Sequence, residues 1–458
     1  MGTDMRRSGN KRNKTDSGKI TGATLPLRKL GNRIGHRLAA HAIAACALVP
    51  LLLALASQPA QALPAFARQT GQNCVACHAG GQFPELTPYG RMFKLTGYTI
   101  GERVLPLSMM AVLTSNKVKV NDPAQGKTQD GSVVFNTGSI FLAGKISDNI
   151  GGFAQITYNN YDSQDPNTGA WAGHTGSDNL DLRYADHLID ANRDLVYGFT
   201  LHNNPGMQDV FNSTPAWGYA VVPGSTGAGN GLTPMLDGGL GQQVAGIGAY
   251  AYWNKTVYAE LTGYRTGDGL FSFMTQGNGG QTHIKGTNPY VRLALTKEWG
   301  PHNLMLGLTQ LNVHQYPDPT DLSTPTDRYR DNAVDAQYQY LLDPYTLTAT
   351  LTHINEKIDY GAGGSDTVKS LRAKTSFTYQ AKYGATLSYF NLSNTLGQES
   401  KGWTPEVFWT PVQYVRLGMQ YTMFNKNDGV TDPRDPTGAS ILGAKGSNTL
   451  LFYVWGAY

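Results

Sequence analysis

Two cysteines and a histidine share one pentapeptide, Cys74-Val75-Ala76-Cys77-His78. Thiols three residues apart can form thioethers with the two vinyl groups on one edge of a porphyrin. The histidine that follows can turn its imidazole under the ring to ligate iron. A thioredoxin-like dithiol would need a βαβ context, and a zinc site a second pair of ligands; the sequence offers neither. The pentapeptide therefore predicts one covalent haem c, attached at Cys74 and Cys77, with His78 as proximal iron ligand.

Other residues around the motif are expected to complete such a site. Met92 is the methionine of this segment that could supply the sixth ligand, and a His/Met pair raises the potential. Packing beside Tyr89 and Phe93 is its plainer role. Met109, Met110, His174, His187 and His202 are alternatives. Arg68, Arg91 and Lys94 are expected to pair with haem propionates or to face solvent. A haem enzyme would need an acid–base partner on its open side; the segment offers only Glu85, so no catalytic residue is assigned.

A helix is expected to carry part of this set. Thr87 suits its N-cap, Pro88 its first turn, and Gly97 the left-handed position after its end. Tyr89, Met92, Phe93 and Thr96 then share one face, with Arg91 and Lys94 elsewhere. The segment from Leu63 to about Gly101 is too short to enclose a haem, so other protein must bury it.

That protein reads as strands. Val334, Ala336, Tyr338 and Tyr340 alternate with Asp335, Gln337 and Gln339. Tyr345, Leu347, Ala349 and Leu351 alternate with threonines, and Val415, Leu417, Met419, Tyr421 and Met423 with Arg416, Gly418, Gln420 and Thr422. Period two with one apolar face is the pattern of a membrane barrel strand. Short turns are expected at Ser147-Asp148-Asn149, near Asn192, at Trp253-Asn254-Lys255, Gly300-Pro301 and Asp343-Pro344, and near Tyr383. Long polar connections fall at about 116–131, 160–178, 203–241, 267–286, 314–330, 356–366 and 426–446. Short periplasmic turns and long extracellular loops are the outer-membrane arrangement. The fold class expected is all-β, an antiparallel outer-membrane barrel of about 16 strands with a short N-terminal helical haem c plug. The chain ends Leu450-Leu451-Phe452-Tyr453-Val454-Trp455-Gly456-Ala457-Tyr458, apolar on both faces, so Tyr453 and Trp455 must meet a packed lumen.

Composition agrees. Charged residues are 15% of the chain, below the usual quarter or so. With 7 Trp, 25 Tyr and 15 Phe the chain is not disordered. Its net charge of +4 arises in residues 1–62, where ten basic residues stand against two acidic ones. Beyond them 27 basic residues face 31 acidic ones, which gives no electrostatic case for nucleic acid. The basic N-terminus, the apolar run Leu38–Ala56 and Ala60-Gln61-Ala62 read as a secretory signal cleaved after Ala62, taking Cys46 with it. The expected organisation is a signal peptide over 1–62, a monohaem cytochrome plug over 63–103 and a transmembrane barrel over 104–458.

Pro64-Ala65-Phe66-Ala67-Arg68-Gln69-Thr70-Gly71, the haem motif, Phe83-Pro84-x-Leu86 and Gly90-Arg91-x-Phe93-Lys94-x-x-Gly97-Tyr98 resemble the fused monohaem cytochrome–porins of iron-oxidising bacteria. Asn203–Trp217 and Val415–Thr422 look similar to the same broad family. The resemblance implies a 16-stranded outer-membrane barrel with a haem plug, bedded in membrane lipid, which oxidises Fe(II) outside and passes electrons to a periplasmic c-type cytochrome. It implies haem attachment at Cys74 and Cys77 and ligation by His78; the stretch 203–241 holds few carboxylates, so an iron-binding position stays unassigned. The rival reading is an outer-membrane transport porin in which haem is structural or senses redox state.

Overall fold

The computed structural model describes residues 64–81, 85–118, 131–164, 171–213, 232–276, 282–428 and 444–458. The expected signal peptide, Cys46, Phe83 and Pro84 lie outside these residues.

Among the described residues sixteen strands close into one antiparallel barrel. They are β1 (Leu107–Val118), β2 (Val133–Lys145), β3 (Ile150–Gln164), β4 (Trp171–Asp190), β5 (Arg193–His202), β6 (Val244–Trp253), β7 (Val257–Thr266) and β8 (Asn288–Trp299). They continue with β9 (His302–Gln315), β10 (Asp327–Leu342), β11 (Tyr345–Asp359), β12 (Ser365–Tyr379), β13 (Tyr383–Asn394), β14 (Glu399–Val412), β15 (Val415–Asp428) and β16 (Thr449–Ala457). Each strand pairs with its sequence neighbours, and β16 closes on β1 with Leu113 opposite Val454. Closure leaves no sheet edge unpaired, which a bilayer demands.

The alternation sorts as the sequence pattern requires. Asp335, Gln337 and Gln339 are buried inside, while Val334 on the same strand is exposed outside. Thr348 and Thr352 point in and Leu351 out; Arg416 and Gln420 point in and Met419, Tyr421 and Met423 out. Outward aromatic rings gather beside the short turns: Trp253, Trp299, Tyr345, Tyr379, Tyr383 and Trp409. A second set, Phe135, Tyr158, Trp403 and Tyr421, stands further along the strands. Trp403 and Trp409 lie on one strand, about 20 Å apart at ~3.3 Å per residue. An apolar band about 25 Å tall between two aromatic girdles is the surface of a membrane-spanning barrel.

Every expected short turn joins two strands, and Val412 and Val415 flank one more. Three long connections differ from expectation. Most of 160–178 is strand, because β3 and β4 continue past the apolar band. Pairing of Lys357 with Thr367 and of Asp359 with Ser365 reduces 356–366 to a hairpin. In both, strands emerging into water need no apolar face, so period two fades while backbone pairing continues. The described parts of 203–241 turn inward: Val210, Phe211, Met235, Leu236 and Leu240 are buried against lumen residues such as Tyr258, Tyr264 and Tyr290, and Leu232 against Phe390, Leu392 and Phe424. Terminal strand β16 buries Tyr453 and exposes Phe452, as a packed lumen requires, whereas Trp455 is only half-buried.

Candidate haem-attachment site

Among the described residues three α-helices precede the barrel: α1 (Pro64–Thr70), α2 (Cys74–Cys77) and α3 (Pro88–Leu95). Helix α2 is a single turn closed by the His78 N–H donating to Cys74 O at 2.8 Å. The chain then doubles back. Ala79 N–H donates to Glu85 O at 2.9 Å and Thr87 N–H to Cys77 O at 2.9 Å. The Thr87 hydroxyl, meanwhile, donates to Ala76 O at 2.5 Å.

Helix α3 forms for the local reasons legible in its sequence. Thr87 Oγ1 accepts from Gly90 N–H at 3.1 Å, and Pro88 occupies the first turn, where an N–H would be unused. At the other end Gly97 takes φ +70°, its N–H donating to Lys94 O and the Tyr98 N–H to Phe93 O. Gly90 faces the haem motif so closely that a Cβ there would lie 2.2 Å from Cys77 O. The motif and α3 are therefore one packed unit.

The motif sits at the short-turn end of the barrel. Cys74 N–H donates to Gln413 Oε1 at 3.4 Å and Cys74 Sγ lies 3.4 Å from Gln413 O, in the β14–β15 turn. Gly80 abuts Thr378, near the end of β12, and Gly81 approaches Ala381 in the following turn. Cys74 is buried, Cys77 and His78 are half-buried, and Val75 and Tyr89 are exposed.

From this end α3 is held by the lumen wall. Gln339 Nε2 donates to Leu86 O at 2.9 Å, Arg91 donates to Asn303 Oδ1 at 2.7 Å and to Gln337, and Tyr250 OH donates to Leu95 O at 2.5 Å. Lys94 Nζ reaches Met207 O at 2.5 Å and Asp209 O at 3.0 Å on the inward loop. Tyr98 OH donates to Asp181 Oδ2 at 2.5 Å, and Asp181 also takes Arg183 at 2.8 Å. Phe66 stacks on Tyr98 at 5.3 Å and packs with Phe93 toward Phe153 of β3. The Phe211 ring is approached by the Arg91 and Arg292 guanidinium groups, at 5.4 and 5.6 Å from its centre. Arg292 is paired with Asp209 at 3.1 Å and Asp335 at 2.8 Å.

Burial sets the protonation of the motif. It lowers the His78 pKa to about 4, the Glu85 carboxylate opposing only in part, so the imidazole is neutral and in its iron-ligating form. Burial likewise raises the Cys77 thiol to about 11. Glu85 is itself buried, but its pairing with Lys374 keeps its pKa below the ordinary value. Two thiols on one helical turn and an imidazole directly after them are the groups that would hold a haem c, with Val75 and Tyr89 exposed beside them.

The remaining expected residues lie as follows. Met92 is half-buried and packs against the cluster of Leu95, Phe211, Tyr250 and Tyr258. Met109 is exposed on the outer face, whereas Met110 packs inside against the cluster of Phe93 and Tyr98. Both nitrogens of His202 are engaged, by Thr200 Oγ1 at 3.0 Å and Tyr264 OH at 2.9 Å. His174 meets Gln276 O and His187 meets Asp194. Arg91 and Lys94 do not face solvent: both are buried, since the barrel wall and inward loop supply their acceptors. Burial and the nearby Arg183 lower Lys94 to about 8. Arg68 donates to Leu105 O at 3.3 Å and Leu107 O at 2.5 Å. Among the described residues no group of three or more His, Cys, Asp or Glu side chains could hold a metal ion. Sequence reasoning did not single out Gln413, Thr378, Asp181 or Arg183; only their places in the polar alternation or at turns marked them.

No protein-family model and no curated protein matches the chain. Solved structures share its general form. The outer membrane channel DcaP of Acinetobacter baumannii is 14% identical, with 77% of this chain and 96% of that one covered and a TM-score of 0.45. An anion-selective porin from Comamonas acidovorans is 12% identical, covering 77% and 98%, with a TM-score of 0.43. OmpT of Vibrio cholerae in its trimer form is 8% identical, covering 77% and 98%, with a TM-score of 0.45.

Proposed function

We propose that this is an outer-membrane electron carrier: a haem c on Cys74, Cys77 and His78 takes electrons from a donor outside the cell, Fe(II) by family resemblance, and yields them to a periplasmic c-type cytochrome. One observation carries the reading. The attachment motif lies at the short-turn end of a membrane barrel, beside Gln413, and the lumen beyond it is occupied by α3 and the inward loop. Short turns are the periplasmic side of outer-membrane barrels, so a soluble partner would meet the motif there.

The bound group would supply one-electron chemistry between ferric and ferrous iron. The chain's residues do the rest. Gly90 and Thr87 hold the motif against α3, while Arg91, Lys94 and Tyr98 hold α3 to the wall. Buried side chains of α3 and of the described inward loop, Leu95, Val210 and Phe211 among them, pack against the wall in the middle of the lumen. No group need carry a proton, so the site makes no demand for an acid–base pair.

The transport reading has its own support, because closed barrels of this strand number can leave an aqueous channel. Two measurements separate the readings. The full chain, produced in a host that matures c-type cytochromes, should keep haem on a denaturing gel and lose it when Cys74 and Cys77 are both replaced by Ser. In a planar bilayer it should be nearly silent. Steady porin-like conductance with no covalent haem would sink the electron-carrier reading. Rapid anaerobic reduction by Fe(II) would support iron as donor; reduction by dithionite alone would remove iron and leave the carrier role.

A further inference from the structure

The long-loop half of the lumen holds two carboxylates directly opposite each other. Asp331 on β10 is paired in register with Glu356 on β11, and both side chains are buried on the inner face. Each grips the inward loop: Glu356 Oε2 accepts from Met235 N–H at 2.8 Å, and Asp331 Oδ2 from Leu236 N–H at 2.7 Å. Asp237, next in the loop, is tied to Arg372 of β12 at 2.8 Å. Met235, Leu236 and Leu240 then close a cluster with Tyr264, Tyr290, Leu311, Val313, Ala333 and Ile354.

The electrostatics of this pair are unusual. Among the described residues neither Asp331 nor Glu356 takes part in an ion pair, and Asp331 Oδ1 is buried without a hydrogen-bond partner. The other charged or titratable groups around them are committed or acidic. Arg372 Nε is bound to Asp237 and Asp335 is held by Arg292. Asp327 accepts from Gly361 N–H, and Asp366 accepts from Thr367 and Thr395. Tyr329 and Tyr360 bring no positive charge. Two like charges, directly opposed and out of water, cannot both stay ionised; one proton between them removes the repulsion and gives the orphaned oxygen a partner.

We propose that Asp331 and Glu356 bind one shared proton, and that this one-proton pair latches residues 232–240 across the extracellular half of the lumen, releasing them when the proton is lost. The pair faces the long-loop end, so external pH sets its state. The latch is independent of haem chemistry, and its failure would leave the proposed electron-carrier role untouched.

A nitroxide on Thr233→Cys, an exposed position of the loop, reports the latch in the full chain in detergent with a chelator present. Signal from the unsubstituted chain is subtracted. With Glu356 intact the label should be immobile at low pH and become mobile in one transition as pH rises. In the added Glu356→Gln variant, whose amide can still accept from Met235 and can donate to Asp331, the transition should vanish and the label stay immobile. Barrel integrity is followed by heat-modifiable gel mobility. An identical transition in Glu356→Gln would overturn the proposal, as would a label unchanged at every pH where the barrel is intact.

Discussion

Replacing Gly90 by Ala tests whether the haem motif and α3 form one unit. In an isolated helix the change should stabilise by about 1 kcal/mol, because Ala is the better helix former. Here the new Cβ would lie 2.2 Å from the Cys77 carbonyl oxygen and 2.9 Å from its carbon, where ordinary contact begins at 3.4 Å. The obstacle is backbone, so no rotamer change relieves it; the turn and the helix must part by over 1 Å. Overpacking of this kind costs about 1–3 kcal/mol, and separation also strains the Thr87 bonds to Ala76 O and Cys77 O. The propensity gain reduces this to about 0–2 kcal/mol, and the strained Thr87 bonds bring the expected loss to about 1–2 kcal/mol, or roughly a 5- to 30-fold faster amide exchange. Native-state hydrogen exchange at His78, Ala79 and Thr87 reads it directly, because their N–H groups close the motif. Exchange at those amides that is unchanged or slower would refute the close packing of α3 on the motif.

Other perturbations follow from the lumen contacts. Asp181→Ala removes the acceptor of both Tyr98 and Arg183 and leaves Arg183 buried and unpaired; urea unfolding should show a loss of about 3–5 kcal/mol. Phe211→Ala removes a buried ring that two guanidinium groups approach; stability should fall by about 3–5 kcal/mol, and bilayer conductance should rise from near silence. Burial raises the Glu85 pKa, but Lys374 more than offsets it, so the folded value lies below the ordinary one. Such a group adds stability above its unfolded pKa and loses it as pH falls through the folded pKa. Proteolysis of the motif should therefore increase in acid, below about pH 4.3, and that acid-dependent step should be missing in Glu85→Gln.

Much of this molecule was written locally. Thr87, Pro88 and Gly97 marked the ends of α3 because capping depends on side chains a few residues apart. The barrel was legible because lipid and lumen lie on opposite faces of every strand, so polarity must alternate residue by residue. It was least legible beyond the bilayer: where both faces of β3, β4, β11 and β12 meet water, hydrogen-bonded strand and loop have the same composition. The pentapeptide was likewise visible in the sequence, since its three potential donor groups are contiguous.

What a linear pattern could not give was the company these residues keep. Arg91 and Lys94 have the composition of a solvent face, yet the lumen supplies Asn303, Gln337 and the carbonyls of Met207 and Asp209 to receive them. The stretch 203–241 reads as an external loop, and its described parts turn inward because Phe211, Leu236 and Leu240 find apolar partners there. Asp331 and Glu356 stand 25 positions apart in sequence; only strand register brings them face to face. The sequence by itself determined the barrel and its polarity, and it set the Cys-x-x-Cys-His pentapeptide that the proposed haem would need, because those depend on local spacing. Closure of the barrel decided the rest, because a filled lumen is a set of contacts between distant residues.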